Sequence, residues 1–467
     1  MKNKKYDLGL VGLGTMGKNL LMNMAEKGFE VAGYDKDISK VHSLKDTEGD
    51  IYGATQLEDF IEVLEKPRKV FLLVPAGKIV DYVIADLLPY LDKGDIIIDG
   101  GNSYFKDTSR RQSELDAKGI HFLGIGVSGG AEGARRGPSM MPGGNKTAYA
   151  KVRPIMEAVA AKIGKQPCVT YLGKGAVGHF VKMVHNGIEY GLMQLLAEAY
   201  HLMRAGLEMD NAAIHEVFTD WNAKELKSFL VEISAEIFSA KDDLADGDLI
   251  DVIMDKGKQK GTGKWTSQES LDLGVAVPTI DMAVIARIIS AFKQERIAAS
   301  DVLTGPSASF KKNPKTFLRN LKNATLFAFI TTYAQGMSML RDASEEYNFD
   351  IDLEKVAKIW RGGCIIRAKL LEDFRRAYKT QPNLSNLLLD ERIAKTVNKT
   401  QKDIRVVISE GIKLGIPMPC LTACLSYFDS YRSARLPMNL VQAQRDFFGS
   451  HTYERTDRSG TFHFEWE

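Results

Sequence analysis

Very little of this chain is set aside for disulfide or metal chemistry. Only four cysteines occur among 467 residues. Cys168, Cys364, Cys420 and Cys424 form no C-x-x-C pair and no zinc spacing, so a disulfide scaffold is excluded and reduced thiols in a cytoplasm are expected. No H-E-x-x-H or other metal box occurs, so an enzyme of this sequence is expected to work without metal. An excess of one charge is also missing. Lys and Arg total 62 against 60 Asp and Glu, a net +2 that offers nothing to nucleic acid or an anionic membrane; any anion site must be local. No apolar stretch is long enough to span a bilayer. Lys2, Lys4 and Lys5 precede an apolar run, but the run is short, glycines interrupt it and no small-residue cleavage site follows. A strand is expected there rather than a secretory signal.

What is present begins with glycine. Gly12-Leu13-Gly14-Thr15-Met16-Gly17 follows the apolar run Leu8 to Val11 and opens a helical pattern, Lys18 to Lys27. Alone, G-x-G-x-x-G is weak. Between a strand and a helix, with Asp35 closing the next strand, Phe29 to Tyr34, it is a dinucleotide fingerprint. Its glycines admit a pyrophosphate close to the backbone, and the helix N-terminus favours the negative charge. A nicotinamide or flavin dinucleotide is expected.

The chain is too long for one ordinary core, so two or three domains are expected. Its first part alternates strands and helices, with further strands at Lys69 to Val74, Asp95 to Asp99 and Ile120 to Val127. This predicts an α/β, Rossmann-like, doubly wound parallel sheet over residues 1–177. Its strand ends carry Val74-Pro75-Ala76-Gly77, Gly100-Gly101-Asn102-Ser103 and Ser128-Gly129-Gly130. From about Ala176 strand signals vanish, and a large all-helical region is expected over 178–436. Within it Asn186 to Arg204 resembles Asn323 to Arg341, with Trp221 and Trp360 following at similar places; this is either an internal repeat or a chance likeness of two amphipathic helices. Leu436-Pro437 ends the helical pattern. Residues 437–467 then form a tail rich in Arg, His and aromatics, whose Phe447, Phe448, Tyr453, Phe462, Phe464 and Trp466 need a surface to bury against.

The helix after Gly178 holds the candidate chemistry. Lys182, His185, Asn186, Glu189 and Tyr190 fall at i, i+3, i+4, i+7 and i+8, on one face of a mostly apolar helix. Such a stripe can simply face solvent. Against that, apolar residues cover most of the circumference, and base, acid and amide are mixed as acid–base catalysis requires. In the possible second copy the acid is replaced by Leu326. Gln259 to Trp265 is a basic, Gly-containing loop that suits an anion or a solvated turn, with Lys260 near its start. Arg287 stands in an apolar helix and needs a carboxylate or a ligand anion. Arg445 and His451 are the remaining candidates in the tail.

Gly12 to Gly17, Ile98 to Ser103, Gly124 to Gly144, Lys182 to Tyr190, Gln259 to Thr266 and the tail segment Arg445 to His451 together resemble the decarboxylating 6-phosphogluconate dehydrogenases, nearly end to end. Related 3-hydroxyacid dehydrogenases share the Gly-rich and Ser-Gly-Gly segments but lack the extended helical region and the tail. The resemblance implies oxidation of 6-phosphogluconate at C3 and loss of CO2 to give ribulose 5-phosphate. It implies Lys182 as general base and Glu189 as general acid. Asn102, Ser128, Gly129, Gly130, His185 and Asn186 would hold the sugar acid. Tyr190, Lys260 and Arg287, with Arg445 and His451 from a partner subunit, would bind the phosphate and nearby groups. A homodimer with shared sites follows from the same resemblance. The cofactor would lie on Gly12, Leu13, Gly14, Thr15, Met16, Gly17, Asp35, Lys36, Asp37, Val74, Pro75, Ala76 and Asn102.

One departure concerns the cofactor. NADP-using members typically carry Asn-Arg-Thr or Asn-Arg-Ser where this chain has Asp35-Lys36-Asp37. Asp35 suits a free ribose hydroxyl and repels a 2′-phosphate, with Lys36 a partial compensation, so NAD is favoured and NADP or dual use stays open. Two other readings compete: a 3-hydroxyacid dehydrogenase for a smaller substrate, and a non-catalytic dinucleotide-binding scaffold. Retention of both Lys182 and Glu189 speaks against the scaffold.

Overall fold

The computed structural model describes residues 4–45 and 51–466. Seven strands form one sheet: β1 (Leu8–Val11), β2 (Val31–Tyr34), β3 (Ile51–Ala54), β4 (Lys69–Leu72), β5 (Ile96–Asp99), β6 (His121–Ser128) and β7 (Ser139–Gly144), in the order β3-β2-β1-β4-β5-β6-β7. β1 to β6 are parallel. The chain leaves β1 towards β2 on one side and returns to β4 on the other, which opens a crevice at the carboxyl ends of β1 and β4. Alternate side chains enter opposite layers, as the pleat demands. Leu8, Leu10, Ile96 and Ile98 pack with Leu20, Leu21 and Met24 of helix α1 (Thr15–Glu26). Val11, Val70, Leu72 and Ile97 pack with Ile84 and Leu87 of α2 (Lys78–Leu87).

The parallel sheet expected from the sequence is present, with one antiparallel strand added at its edge. β7 runs antiparallel to β6, from Leu123 opposite Gly144 to Ser128 opposite Ser139. Its sequence, Ser-Met-Met-Pro-Gly-Gly, carries residues that weaken strand propensity, and Pro142 is tolerated because β7 is an edge strand. β3, also unread in the sequence, is short and contains Gly53. Helices α3 (Phe105–Asp116) and α4 (Gly130–Arg136) follow β5 and β6.

Beyond residue 176 the chain is nearly all helix. Two long, mostly buried helices form its axis, α5 (Val177–His201) and α8 (Pro314–Glu346), with α6 (Thr262–Asp272) and α7 (Pro278–Ala291) between them in sequence. Of the two segments that resemble one another, the first starts in α5 and ends in the π-helical turn after it, and the second lies in α8; the two helices touch closely, since a Cβ on Gly336 would lie 2.5 Å from the Ile188 side chain. The tail is α9 (Met438–Gly449) followed by a small antiparallel hairpin, Tyr453–Glu454 with Thr461–Phe462. Strand structure therefore does recur after residue 176, in two-residue pieces too short to carry a periodic signal. Among the described residues no helix is long and apolar enough to cross a membrane.

α5 is seated directly on the sheet. A Cβ on Gly178 would collide with the Gly124 carbonyl oxygen, and one on Gly126 with Lys182 Cβ. Only hydrogen fits at either position, and this close approach fixes where Lys182 leaves the helix. Gly126→Ala is expected to overpack the contact, cost about 1–3 kcal/mol in denaturant unfolding and lower turnover by displacing Lys182. Unchanged unfolding and turnover would show that the contact relaxes freely.

Candidate active site

The turn from β1 into α1 is built for an anion. Gly12 has φ 101°, and a Cβ on Gly17 would collide with the Gly12 carbonyl oxygen. A Cβ on Gly14 meets nothing within 4 Å, so the turn is open on the crevice side. A cavity of about 410 Å³ begins there, lined by Gly12, Gly14, Asp35, Lys36, Val74 and Pro75 together with residues of α2. The Leu13 side chain is buried in the core, Met16 packs partly against it, and Thr15 and Ala76 are exposed.

Asp35 is half committed. Its Oδ2 accepts from Leu13 N at 2.8 Å and its Oδ1 from Asp37 N at 2.9 Å, so it braces the fingerprint turn, and Lys40 Nζ stands 3.4 Å away. Nothing in the sequence pattern marks Lys40. Lys36 is paired with Asp86 of α2 at 2.8 Å rather than left free. Asp37 caps the short helix that follows, accepting from Ser39 N. These residues fit a dinucleotide: an open Gly-rich turn, an acid beside it and an apolar wall.

At the carboxyl end of β6 the stripe on α5 comes together. His185 Nε2 lies 3.2 Å from Ser128 Oγ, and His185 Nδ1 lies 3.0 Å from Asn186 Oδ1. Asn186 Nδ2 donates to Thr262 Oγ1 at 3.2 Å, and the Glu189 carboxylate is 3.8 Å from His185. The Arg287 guanidinium stacks 3.4 Å over the Tyr190 ring. Arg287 thus lies on an aromatic face and is also attracted by the Glu189 carboxylate. Lys260 is exposed and precedes Gly261, whose φ of 100° starts α6. Gly129 adopts the left-handed conformation at the start of α4, with Gly130 the first residue of that helix. Asn102 is exposed on a loop braced by Asp99, which accepts from Gly101 N at 2.9 Å and Ser103 Oγ at 2.6 Å; His179 of α5 binds the Asp99 carbonyl at 3.1 Å.

Burial sets the electrostatics. Lys182 is 6% exposed. Desolvation pushes its pKa down, against the pull of Glu189 and the Cys364 thiol. Desolvation pushes Glu189 up, opposed by Lys182 and Arg287. His185, fully buried, is driven well below its ordinary value by burial and then by Lys182, so it is neutral. Lysine and carboxyl are therefore both biased towards their uncharged forms, the states in which one takes a proton and the other gives one.

Several members of the site went unread in the sequence. The Trp360 ring meets His185 edge-on with centroids 5.6 Å apart. Cys364 donates to the Trp360 carbonyl at 3.0 Å, and the Gly363 carbonyl accepts from Ser139 N at 2.7 Å, so residues 360–364 back the site. Glu269 of α6, fully buried, is held by Lys106 Nζ at 2.9 Å and by the Tyr347 hydroxyl, while Tyr104 packs on Trp265 at 5.0 Å. This clasp ties the loop bearing Asn102 to the helix bearing Thr262. Arg445 and His451 are not brought to the stripe within one chain. Arg445 bonds Gln442 at 3.1 Å and His451 meets Phe448, both inside the tail. Among the described residues no group of three or more His, Cys, Asp or Glu is placed to hold a metal ion.

Comparison with known proteins bears directly on this arrangement. A family model described as the NAD binding domain of 6-phosphogluconate dehydrogenase matches residues 7–173, and one described as the 6-phosphogluconate dehydrogenase C-terminal domain matches 178–466. The chain belongs to the 6-phosphogluconate dehydrogenase family. Among its relatives in the family, it is 50% identical over 465 residues to the NADP(+)-dependent, decarboxylating 6-phosphogluconate dehydrogenase of Bacillus subtilis, covering 99% of each chain. It is 48% identical over 466 residues to the decarboxylating 6-phosphogluconate dehydrogenase of Escherichia coli, again covering 99% of each. The solved Plasmodium falciparum 6-phosphogluconate dehydrogenase superposes with a TM-score of 0.94 at 44% identity, over 98% of this chain and 100% of that one. The family's first model spans the sheet and the fingerprint turn; its second spans α5, α6, α8 and the tail.

Proposed function

We propose that this chain catalyses the oxidative decarboxylation of 6-phosphogluconate to ribulose 5-phosphate and CO2, a step of the pentose phosphate pathway, with reduction of a nicotinamide dinucleotide. The observation that carries the reading is the Lys182–Glu189 pair: Lys182 buried, Glu189 half-buried, both pushed towards neutrality, on the helix seated at the sheet's carboxyl edge. Residues 1–177 would bind the cofactor, 178–436 the substrate and the second subunit, and 437–467 would complete the partner's site.

Neutral Lys182 takes the proton of the C3 hydroxyl as C3 is oxidised. A nicotinamide dinucleotide held by the fingerprint residues would accept the C3 hydrogen with its electron pair, as hydride. The product of that step is a ketone β to the carboxylate. Its C–C bond breaks with the electron pair moving into the C2–C3 bond, CO2 leaves, and protonated Lys182 stabilises the oxygen at C3. Glu189 then protonates C1 of the enediol, the former C2, to give the ketose. Asn102, Ser128, Gly129, Gly130, His185 and Asn186 hold the sugar acid. Tyr190, Lys260 and Arg287, with the partner subunit's Arg445 and the partner's His451, hold the phosphate end. No step calls for a metal.

NAD is the favoured cofactor. Asp35, oriented by Leu13 N, would hold a free ribose hydroxyl and repel a 2′-phosphate, and Lys36 is engaged with Asp86. The B. subtilis relative is named NADP(+)-dependent, so the preference rests on this chain's own residues. The homodimer is supported by exposed apolar side chains: Ile288, Ile289 and Phe292 at the end of α7, and Phe447, Phe448 and Phe464 in the tail, 44–73% exposed. A cytoplasmic setting is supported by four buried cysteines, all free thiols.

The test is formation of reduced nicotinamide and CO2 from 6-phosphogluconate, in the presence of a chelator. Lys182→Met is expected to abolish oxidation, and Glu189→Gln to slow turnover ~10²–10⁴-fold while sparing substrate binding. Near-normal turnover of Glu189→Gln would remove that residue as the acid. Because Lys182 must be neutral, kcat/KM should fall as pH drops below its lowered pKa. In cofactor competition, an unmatched carboxylate facing a 2′-phosphate should favour NAD about 5- to 150-fold in kcat/KM, on the order of 1–3 kcal/mol. A wild-type preference for NADP overturns that assignment. Shared sites are checked by mixing Lys182→Met and His451→Ala subunits. Heterodimers should regain activity at one of two sites, and confirmed heterodimers without activity would place the tail in its own chain's site.

A further inference from the structure

The tail is thinly packed, with most of its apolar side chains exposed, yet one carboxylate in it has no exposed surface. Asp446 lies near the end of α9. Its Oδ1 accepts from Thr452 N at 3.0 Å and lies 2.8 Å from His463 Nδ1. Its Oδ2 accepts from Phe464 N at 3.1 Å and Trp466 Nε1 at 2.9 Å. Its carbonyl accepts from Ser450 N at 2.9 Å. One residue thereby collects the turn after the helix and the strand end beyond the hairpin. Burial alone would raise this carboxyl; the bonds from His463, Trp466 and Phe464 N outweigh it and hold it down at about 2.

What Asp446 organises is the display of its neighbours. Arg445 precedes it directly. His451 is flanked by Ser450 and Thr452, whose φ values of 48° and 61° are left-handed, a region such residues enter only when surrounding bonds hold them there. Gln442 braces the same turn, donating to the Thr452 carbonyl at 2.6 Å and accepting from Arg445. The Asp446 carboxylate ties Thr452, Phe464 and Trp466 to the helix at once, which Gln442 does for Thr452 alone.

We propose that Asp446 is the positioning residue of the phosphate end: it folds the tail into the shape in which Arg445 and His451 serve the neighbouring active site. The proposal rests on the reading that the tail completes the partner's site, and the experiment separates the two. In the full-length protein, Asp446→Asn, Trp466→Phe and His451→Ala are compared for substrate KM, cofactor KM, dimer mass, and tryptic cleavage at Arg455 and Arg458 in the hairpin, with 6-phosphogluconate as the substrate. Asp446→Asn keeps the shape but loses the charge and half the acceptors. It should raise the substrate KM ~10-fold or more, leave the cofactor KM unchanged and speed cleavage of the tail. Trp466→Phe removes one donor and should move the substrate KM the same way by a smaller factor. His451→Ala should raise the substrate KM without speeding cleavage. A normal substrate KM in Asp446→Asn beside a raised one in His451→Ala overturns the role of Asp446 alone. A normal substrate KM in His451→Ala overturns the shared-site reading and the proposal with it. A rise in both KM values together with loss of the dimer would mean a merely structural residue and overturn the positioning role. Should Asp446→Asn fail to fold, an unchanged substrate KM in Trp466→Phe overturns the proposal.

Discussion

The contact on which this structure depends is backbone against backbone. α5 rests on β6 and β7 at Gly178, which faces the backbone of Gly124, Met141 and Gly143, and bare Gly126 leaves room for the first carbons of the Lys182 side chain. That contact removes Lys182, His185 and Asn186 from water and sets His185 against Ser128. Desolvation penalises the charged form of each titratable group there, so a lysine is lowered and a carboxyl raised by the same act of packing. Their mutual attraction opposes this shift, pulling Lys182 up and Glu189 down. The geometry of the helix seat and the acid–base chemistry are one constraint seen at two scales.

Much of this is legible from the chain because it is local. The fingerprint turn, the acid after β2 and the stripe on α5 are short patterns with fixed spacing, and the structure gathers the stripe where the pattern puts it. What escapes a sequence reading is joined by long-range contacts. β7 carries Pro142, Gly143 and Gly144, which weaken strand propensity, and its pairing with β6 makes it a strand. Lys106 and Glu269 meet from different halves of the chain, and neither has a neighbour that announces the other. Trp360 reads as a repeat marker until it is found against His185. Arg287 stands out in its apolar helix, but its stacking on Tyr190 is a contact that charge arithmetic does not reveal. Lys36 looks free to meet a phosphate because Asp86 lies on another element.

The clasp and the backing segment show how the halves are coupled. The loop bearing Asn102 belongs to the sheet, and Thr262 belongs to α6. Lys106, Glu269 and Tyr347 tie the first to the second, while Asp99 and His179 tie the same loop to α5. A buried carboxylate is costly unless its partners stay in place. Such a network does more for register than for net stability, because any drift between sheet and helices strands a charge.

The tail obeys a different logic. A domain core forms when enough apolar area leaves water, and a segment of this size has too little of its own. Its aromatic side chains stay largely exposed, so apolar burial within one chain cannot be what folds it. Directional bonds to one carboxylate can do so, because hydrogen bonds to a charged acceptor are stronger than neutral ones and four of them specify a shape. Under the proposal of shared sites, the arm is ordered before it meets its neighbour, and docking there would lose less conformational entropy than it would for a disordered strand. An arm so prepared can offer Arg445 and His451 in fixed positions while its aromatic face remains available for burial. Polar bonds set the shape, and apolar area is left over to supply the affinity.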